Sequence, residues 1–261
     1  MVSPARSPVK SPVRSPVKGP AKSPIKKADI IATIGPSSLS RAVIRKMVKE
    51  GMTIARINTK YGSVKQYNLI MKHLEGTGCR ILFDIDNLKI LEWIKGQKYD
   101  YLAVSFAESA EQIRKIQGIV GKDVKIISKI ENRTGIKHID ELIRESYGIM
   151  VARGDLGDNI PLEKLPIFQK VIIKKCNRSR KMAITATEML LSMTRSRVPE
   201  RAEVSDVANA VLDGSDALML SEETAIGRHP VLVVRTMRKI ITETQRDKEV
   251  LSYFLNSLHD S

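Results

Sequence analysis

The sequence predicts an α/β protein: a (β/α)8 barrel carrying a basic tail that is disordered when free. Three observations lead there. From Ala28 onward, eight short apolar runs alternate with helical patterns over about 220 residues, the rhythm of a barrel in which each strand is followed by a helix. Charged and hydroxyl side chains recur at the ends of those runs around the whole chain, at Arg56, Asn58, Asp84, Lys129, Glu131, Asp155 and Thr187. A doubly wound open sheet, the alternative, would gather them at one switch point. The length of 261 residues, 42% of them hydrophobic, is enough for one sizeable core.

The first run, Asp29–Gly35, is stopped by Gly35-Pro36, and Ser38 is placed to cap a helix reaching about Glu50. A second strand at Thr53–Asn58 precedes a helix from about Ser63 to Glu75. A third, Cys79–Asp84, runs into a short helix from about Leu88 to Lys95. A fourth, Tyr101–Phe106, leads to a helix from Ser109 to Val120. Val124–Ser128 and Gly148–Arg153 are the fifth and sixth, with a helix around Ile136 to Glu145 between them. Their unbroken apolar character suits parallel strands buried on both faces. A long helix from about Leu162 to Arg178, a strand at Met182–Thr187, a helix near Glu203 to Leu212 and a strand at Ala217–Leu220 follow. A closing helix from Val231 to about Gln245 ends the barrel, and a further helical stretch spans about Lys248 to Leu258. The expected division is a tail over 1–27, a barrel over 28–246 and a C-terminal helical extension over 247–261.

Cys79 and Cys176 make neither a disulfide framework nor a metal motif, so a reducing compartment is expected. No apolar run has transmembrane length, and the first residues lack a signal-peptide core. The expectation is a soluble, cytoplasmic protein with no membrane partner.

The net charge is +15. Arg6, Lys10, Arg14, Lys18, Lys22, Lys26 and Lys27 supply +7 of it, with no acid among the first 27 residues, and the remainder carries +8. All of these cations but Lys27 belong to a tetrapeptide repeat with units Ser3–Arg6, Ser7–Lys10, Ser11–Arg14, Ser15–Lys18, Gly19–Lys22 and Ser23–Lys26. Proline at every fourth position forbids helix and strand pairing, and the repeat has too little apolar surface for a core. The units resemble the Ser-Pro-basic-basic repeats of linker-histone and other chromatin tails, with an apolar third position here. Two readings stand beside each other: a nucleic-acid contact, with a log–log salt slope of about −6, or a solubilising tail. Phosphorylation at the Ser-Pro steps would cancel the charge.

The chemistry concentrates at Lys129-Ile130-Glu131-Asn132 and Gly154-Asp155-Leu156-Gly157, each closing a buried strand. The carboxyl edge of a parallel sheet is where ligands bind. A lysine and two acids delivered there suggest a divalent metal handling an anionic, oxygen-rich substrate. The plainer reading is an ion pair at a barrel rim.

The motifs resemble those of the pyruvate kinase family. Ala32–Ser37 (ATIGPS), Gly51–Asn58 (GMTIARIN), Lys129–Asn132 (KIEN), Ile149–Gly157 (IMVARGDLG) and Ile184–Thr187 (ITAT) all look like its motifs, in its order. So do Lys175–Arg178, Arg201–Glu203 with Ser205–Asn209, and Ser221–Ala225. The resemblance covers roughly residues 28 to 246. It implies a Mg²⁺-dependent transfer of a phosphoryl group from phosphoenolpyruvate to ADP, giving pyruvate and ATP, in a homo-oligomer. By the same resemblance, Glu131 and Asp155 match the acids that hold Mg²⁺ or Mn²⁺, and Lys129 the lysine that neutralises the transferring group. Arg56 matches the phosphate-binding arginine. Gly154 and Asp155 match the backbone N–H groups that take the substrate carboxylate, and Thr187 the hydroxyl beside the enolate.

Some family features are missing. Asp84-Ile85-Asp86 runs almost directly into the helix at Leu88, where the family inserts a lid domain, and no counterpart of the family's C-terminal effector domain is expected. At the monovalent-cation site Asn58 and Asp84 match two K⁺ ligands, but Lys60 and Ile85 replace a serine and a threonine. Either the Lys60 ammonium stands in for K⁺, or the site is lost and Lys60 is solvated. Tyr61, Asn159, Glu188 and Glu222 also depart from the family's residues, at positions that bear on nucleotide binding and subunit contacts. Two other functions therefore remain open: a lidless metal-dependent enzyme acting on enolpyruvate or 2-oxo acids without nucleotide, and a metabolite-sensing, DNA-associated protein.

Overall fold

Eight parallel strands close on themselves in chain order in the computed structural model, which describes residues 27–259. The tetrapeptide repeat, and with it every residue of the expected tail except Lys27, lies outside the described residues. The strands are β1 (Asp29–Thr33), β2 (Ile54–Asn58), β3 (Arg80–Ile85), β4 (Tyr101–Val104), β5 (Lys125–Ile130), β6 (Gly148–Ala152), β7 (Met182–Ala186) and β8 (Ala217–Leu220). β8 pairs back onto β1, with Asp29 opposite Ala217 and Ala32 opposite Leu220. The expected (β/α)8 barrel is therefore the observed fold.

The helices are α1 (Arg41–Glu50), α2 (Val64–Leu74), α3 (Leu91–Ile94), α4 (Ala110–Val120), α5 (Arg133–Lys137), α6 (Ile139–Glu145), α7 (Arg153–Asn159), α8 (Leu165–Arg178), α9 (Arg201–Asp213), α10 (Glu222–Ala225) and α11 (Pro230–His259). Only Asp86 and Asn87 separate β3 from the helical turn at Leu88–Ile90. Among the described residues no helix is long and apolar enough to cross a membrane.

The strand period of two divides the core. One set of strand residues fills the barrel interior: Ile31, Ile54, Leu82, Tyr101, Ala103, Ile127, Met150, Ile184, Ala186, Ala217 and Met219. The alternate set, including Ile30, Ala55, Phe83, Leu102, Ile126, Ile149 and Leu218, packs outward beneath the helices. Continuing the interior set by two residues along β2, β3, β4 and β5 reaches Arg56, Asp84, Ser105 and Lys129. Alternation thus aims these polar groups into the barrel mouth.

Several boundaries differ from expectation. Ser40, not Ser38, caps α1, accepting from the Val43 N–H at 3.3 Å. Ser38 instead closes the Gly35-Pro36 turn, its hydroxyl accepting from the Gly35 N–H at 3.1 Å. Gly51 ends α1 at φ +116°, where a side chain would be strained. β5 extends to Ile130, so Lys129 lies within the strand. Arg153, expected at the end of the sixth strand, is the first residue of α7. The helix expected around Ile136 to Glu145 is two, meeting at His138. α11 runs unbroken across the expected 246/247 boundary, since no glycine or proline interrupts it there.

Candidate active site

Four side chains, from β2, β3, β5 and the residue that follows β5, form a continuous chain of charges at the carboxyl mouth of the barrel. Arg56, on β2, donates from Nε to Asp84 Oδ2 at 2.8 Å and from Nη1 to Thr33 Oγ1 at 2.8 Å. Lys129, on β5, places Nζ 3.0 Å from Asp84 Oδ1, 3.0 Å from Glu131 Oε1 and 2.8 Å from Ser105 Oγ. Glu131 accepts a further hydrogen bond through Oε2 from the Phe106 N–H at 2.5 Å. All four charged residues are buried, Asp84 and Glu131 to within 1% of full enclosure.

Lys129 reaches Asp84 across an intervening strand. β4 lies between β3 and β5, and its interior residue beside Asp84 is Ala103. So small a side chain leaves the lysine stem a path. A leucine there would block it.

Burial opposes ionisation of Asp84, but Arg56 and Lys129 outweigh it and hold the carboxyl below its ordinary value. Burial likewise opposes the Lys129 charge, yet Asp84 and Glu131 raise its pKa above that of a free lysine. The lysine is therefore a fixed cation at any physiological pH. Glu131 goes the other way. Burial pushes it up, the Lys129 charge and the Phe106 N–H pull it back in part, and the nearby Asp155 raises it again.

Asp155 stands in the first turn of α7 and is exposed. Its charge also acts on Glu131, the other acid of the expected metal pair. Among the described residues no cluster of three or more His, Cys, Asp or Glu side chains could hold a metal. Two carboxylates fit a hard divalent ion that keeps several waters and takes further oxygens from its substrate. They do not fit a closed structural site.

Thr187 follows β7 immediately and adopts φ +77°, unusual for a β-branched residue; Glu188 follows at +54°. Gly154 faces it closely. A Cβ built on Gly154 would lie 2.9 Å from Thr187 Cγ2, so only glycine allows this approach. Asn58 remains near the site through its strand register opposite Asp84, but its side chain accepts from the Lys60 N–H at 3.1 Å. The Lys60 ammonium is not brought to Asp84. Lys60 is exposed and its Nζ stands 5.9 Å from the Tyr61 ring centroid, while both Asp84 oxygens are occupied by Arg56 and Lys129.

The structure adds Thr33, Ser105, Phe106 and Arg153 to the residues that build the site. Ser105 carried a readable signal, a hydroxyl at the end of the fourth apolar run. Phe106 did not, because its role is a backbone N–H presented at φ +47°. The two cysteines are free, and burial pushes both thiols up to about 12, which removes them as nucleophiles.

Residues 83–234 match the family model described as the pyruvate kinase barrel domain. The chain is similar to a pyruvate kinase of Thermococcus litoralis, 48% identical over 170 residues that make up 64% of this chain and 36% of that protein. It is 42% identical to one from Dictyostelium discoideum over 221 residues, 83% of this chain and 42% of that one. It is 54% identical to one from Leishmania mexicana over 152 residues, 57% of this chain and 30% of the other. The chain thus spans roughly a third of the length of the relatives it matches.

Proposed function

The chain belongs to the pyruvate kinase family, and from that premise we propose that its barrel transfers the phosphoryl group of phosphoenolpyruvate to ADP. The observation that carries this reading is the run of contacts Arg56–Asp84–Lys129–Glu131, each 3.0 Å or shorter, at the carboxyl mouth. In the reaction the bond from phosphorus to the enol oxygen breaks, a bond to the terminal ADP oxygen forms, and the resulting enolate takes a proton at its methylene carbon. Arg56 and Lys129 present fixed positive charge to the phosphoryl oxygens. Backbone N–H groups at Gly154 and Asp155 orient the substrate carboxylate, and the Thr187 hydroxyl belongs to the route that brings the proton. Glu131 and Asp155 would hold Mg²⁺ or Mn²⁺, which when bound supplies positive charge to the substrate's oxygens.

K⁺ is not required in this proposal. The Asp84 carboxylate already has two protein cations on it, Arg56 and Lys129, and Lys60 takes no part. The deciding experiment is ATP formation from phosphoenolpyruvate and ADP with Mg²⁺, with and without K⁺. Turnover unchanged by removing K⁺ is expected. Turnover that needs K⁺ would restore a cation site at Asn58 and Asp84, and no turnover would overturn the kinase reading.

One observation favours a second reading. With only Asp86 and Asn87 between β3 and the next helical turn, no lid is inserted there to shield the nucleotide from water. A barrel that retains the metal–enolate half alone would exchange pyruvate methyl protons in D₂O while forming no ATP. Metal binding can be checked apart from activity. Glu131→Gln removes one of two ligand charges and is expected to weaken Mn²⁺ binding, followed by paramagnetic resonance, about 10- to 100-fold. Homo-oligomer formation and a nucleic-acid contact through residues 1–27 remain separate proposals, read by sedimentation and by salt-dependent DNA titration.

A further inference from the structure

Arg153 touches neither carboxylate of the site, yet it makes more directed contacts than any residue that does. Its Nη2 donates to the Thr187 carbonyl at 2.7 Å and its Nε to the same oxygen at 3.2 Å. Nε also reaches the Ala186 carbonyl at 3.3 Å, and Nη2 the Glu188 carbonyl at 3.4 Å. One guanidinium therefore grips three successive carbonyls, those that flank the left-handed backbone at Thr187 and Glu188. The other side of the group is anchored. Asp206, on α9, takes Nη1 and Nη2 through its two oxygens, each at 2.7 Å, a forked pair. Gln169, on α8, accepts from Nη1 at 3.3 Å and is itself tied to Asp213. The Arg153 side chain is 12% exposed.

A β-branched residue does not hold positive φ without support from its surroundings. Here the support is specific. The backbone conformation turns the Thr187 side chain toward Gly154, where its methyl packs against the glycine so closely that a Cβ would collide. Arg153 is the residue next to Gly154, so one short segment supplies both the surface that receives Thr187 and the clamp that turns it. A lysine could keep the attraction to Asp206 but could not span three carbonyls with a planar fork.

We propose that Arg153, anchored by Asp206, is a positioning residue that sets the Thr187 hydroxyl for enolate protonation. This rests on the enolate chemistry proposed above. If it acts through Thr187, its effect must depend on Thr187.

The test is a double-mutant cycle read as exchange of pyruvate methyl protons in D₂O. Arg153→Lys is expected to slow exchange about 100-fold with KM changed less than about threefold, as for a misplaced reacting group. In a Thr187→Ala background the same substitution should cost less than about threefold. Asp206→Asn, which leaves the carbonyl grip and weakens its anchor, should give a smaller loss and provides the measurement if Arg153→Lys fails to fold. Normal exchange in Arg153→Lys or Asp206→Asn, or an equal loss with Thr187 removed, overturns the proposal. A second readout needs no activity: the nuclear Overhauser contact between the Thr187 methyl and Gly154. Its loss in Arg153→Lys or Asp206→Asn supports the positioning role even if the wild-type protein catalyses nothing, the outcome that would sink the enolate reading alone. Its persistence in both variants overturns the role.

Discussion

Lys129→Met is expected to lower phosphoryl transfer from phosphoenolpyruvate by about 1,000-fold or more, with little change in the fold. The magnitude follows from the kind of catalysis. Phosphoryl transfer needs little covalent help from the protein, so most of the barrier is lowered by positioning and by charge placed where negative charge moves. A single donor in such a role is worth about 100- to 1,000-fold, and a cation on a transferring phosphoryl group about 1,000- to 100,000-fold. Lys129 meets the requirement of a fixed charge. It is buried, it is held by Asp84, Glu131 and Ser105, and its pKa stands above that of a free lysine. Methionine preserves much of the stem and removes the charge. It also leaves Asp84 and Glu131 with one cation fewer, so metal affinity and urea stability should be followed beside turnover. Lys129→Arg keeps the charge but replaces one ammonium that meets Asp84, Glu131 and Ser105 together by a longer planar fork, and should be impaired as well. A variant Lys129→Met within tenfold of wild type would refute the kinase assignment.

Asp84→Ala should cost about 3–5 kcal/mol of stability, the usual effect of removing one partner from a buried ion pair. Two buried cations, Arg56 and Lys129, lose their shared acceptor, and Arg56 keeps only its bond to Thr33. The pH dependence is specific. Because the folded-state pKa of Asp84 is held below its ordinary 3.8, its ionised form stabilises the native state fully above pH 3.8. That contribution is lost as the pH falls through the lower, folded-state value. Lys129, whose pKa is raised above 10.5, contributes below that pH and loses its effect as the pH rises through its folded-state value. The gap in urea stability between wild type and Asp84→Asn should therefore be flat across neutral pH and close only toward the acid limb. A gap that widens in acid would show that Asp84 is not held as a buried anion.

Much of this was legible without coordinates. Short apolar runs of regular spacing specify strands, and a charged residue two positions beyond an interior apolar residue must share its side of the sheet. Their place at run ends is why Arg56, Asp84, Lys129 and Glu131 could be listed, with Asn58, Asp155 and Thr187, as mouth residues, while the pairing of the first four was not legible. Errors arose where the deciding interaction was not local. Ser38 and Ser40 are equally good cap residues on paper, and the turn at Gly35 claimed the first. For Lys60 the sequence left two readings open, and its exposed side chain, with the ammonium 5.9 Å from the Tyr61 ring centroid, agrees with the solvated one. Thr187 was recognisable by its place at a strand end, whereas its positive φ and the Arg153 grip on it depend on α8 and α9, residues 16 and 53 positions away from Arg153.

The amino-acid sequence by itself determined the barrel and the identity of its charged mouth residues, because strand alternation and the polarity of run ends act over only a few residues. Tertiary structure alone decided who pairs with whom. Closure of β8 on β1 and the register of β2 through β5 bring Arg56, Asp84 and Lys129 into one layer. The small Ala103 then opens the path between the last two. Which carboxylate oxygen each cation takes, and hence how far each pKa moves, follows from distances of a few ångströms across strands, a scale on which Coulomb energies are steep and sequence spacing is silent.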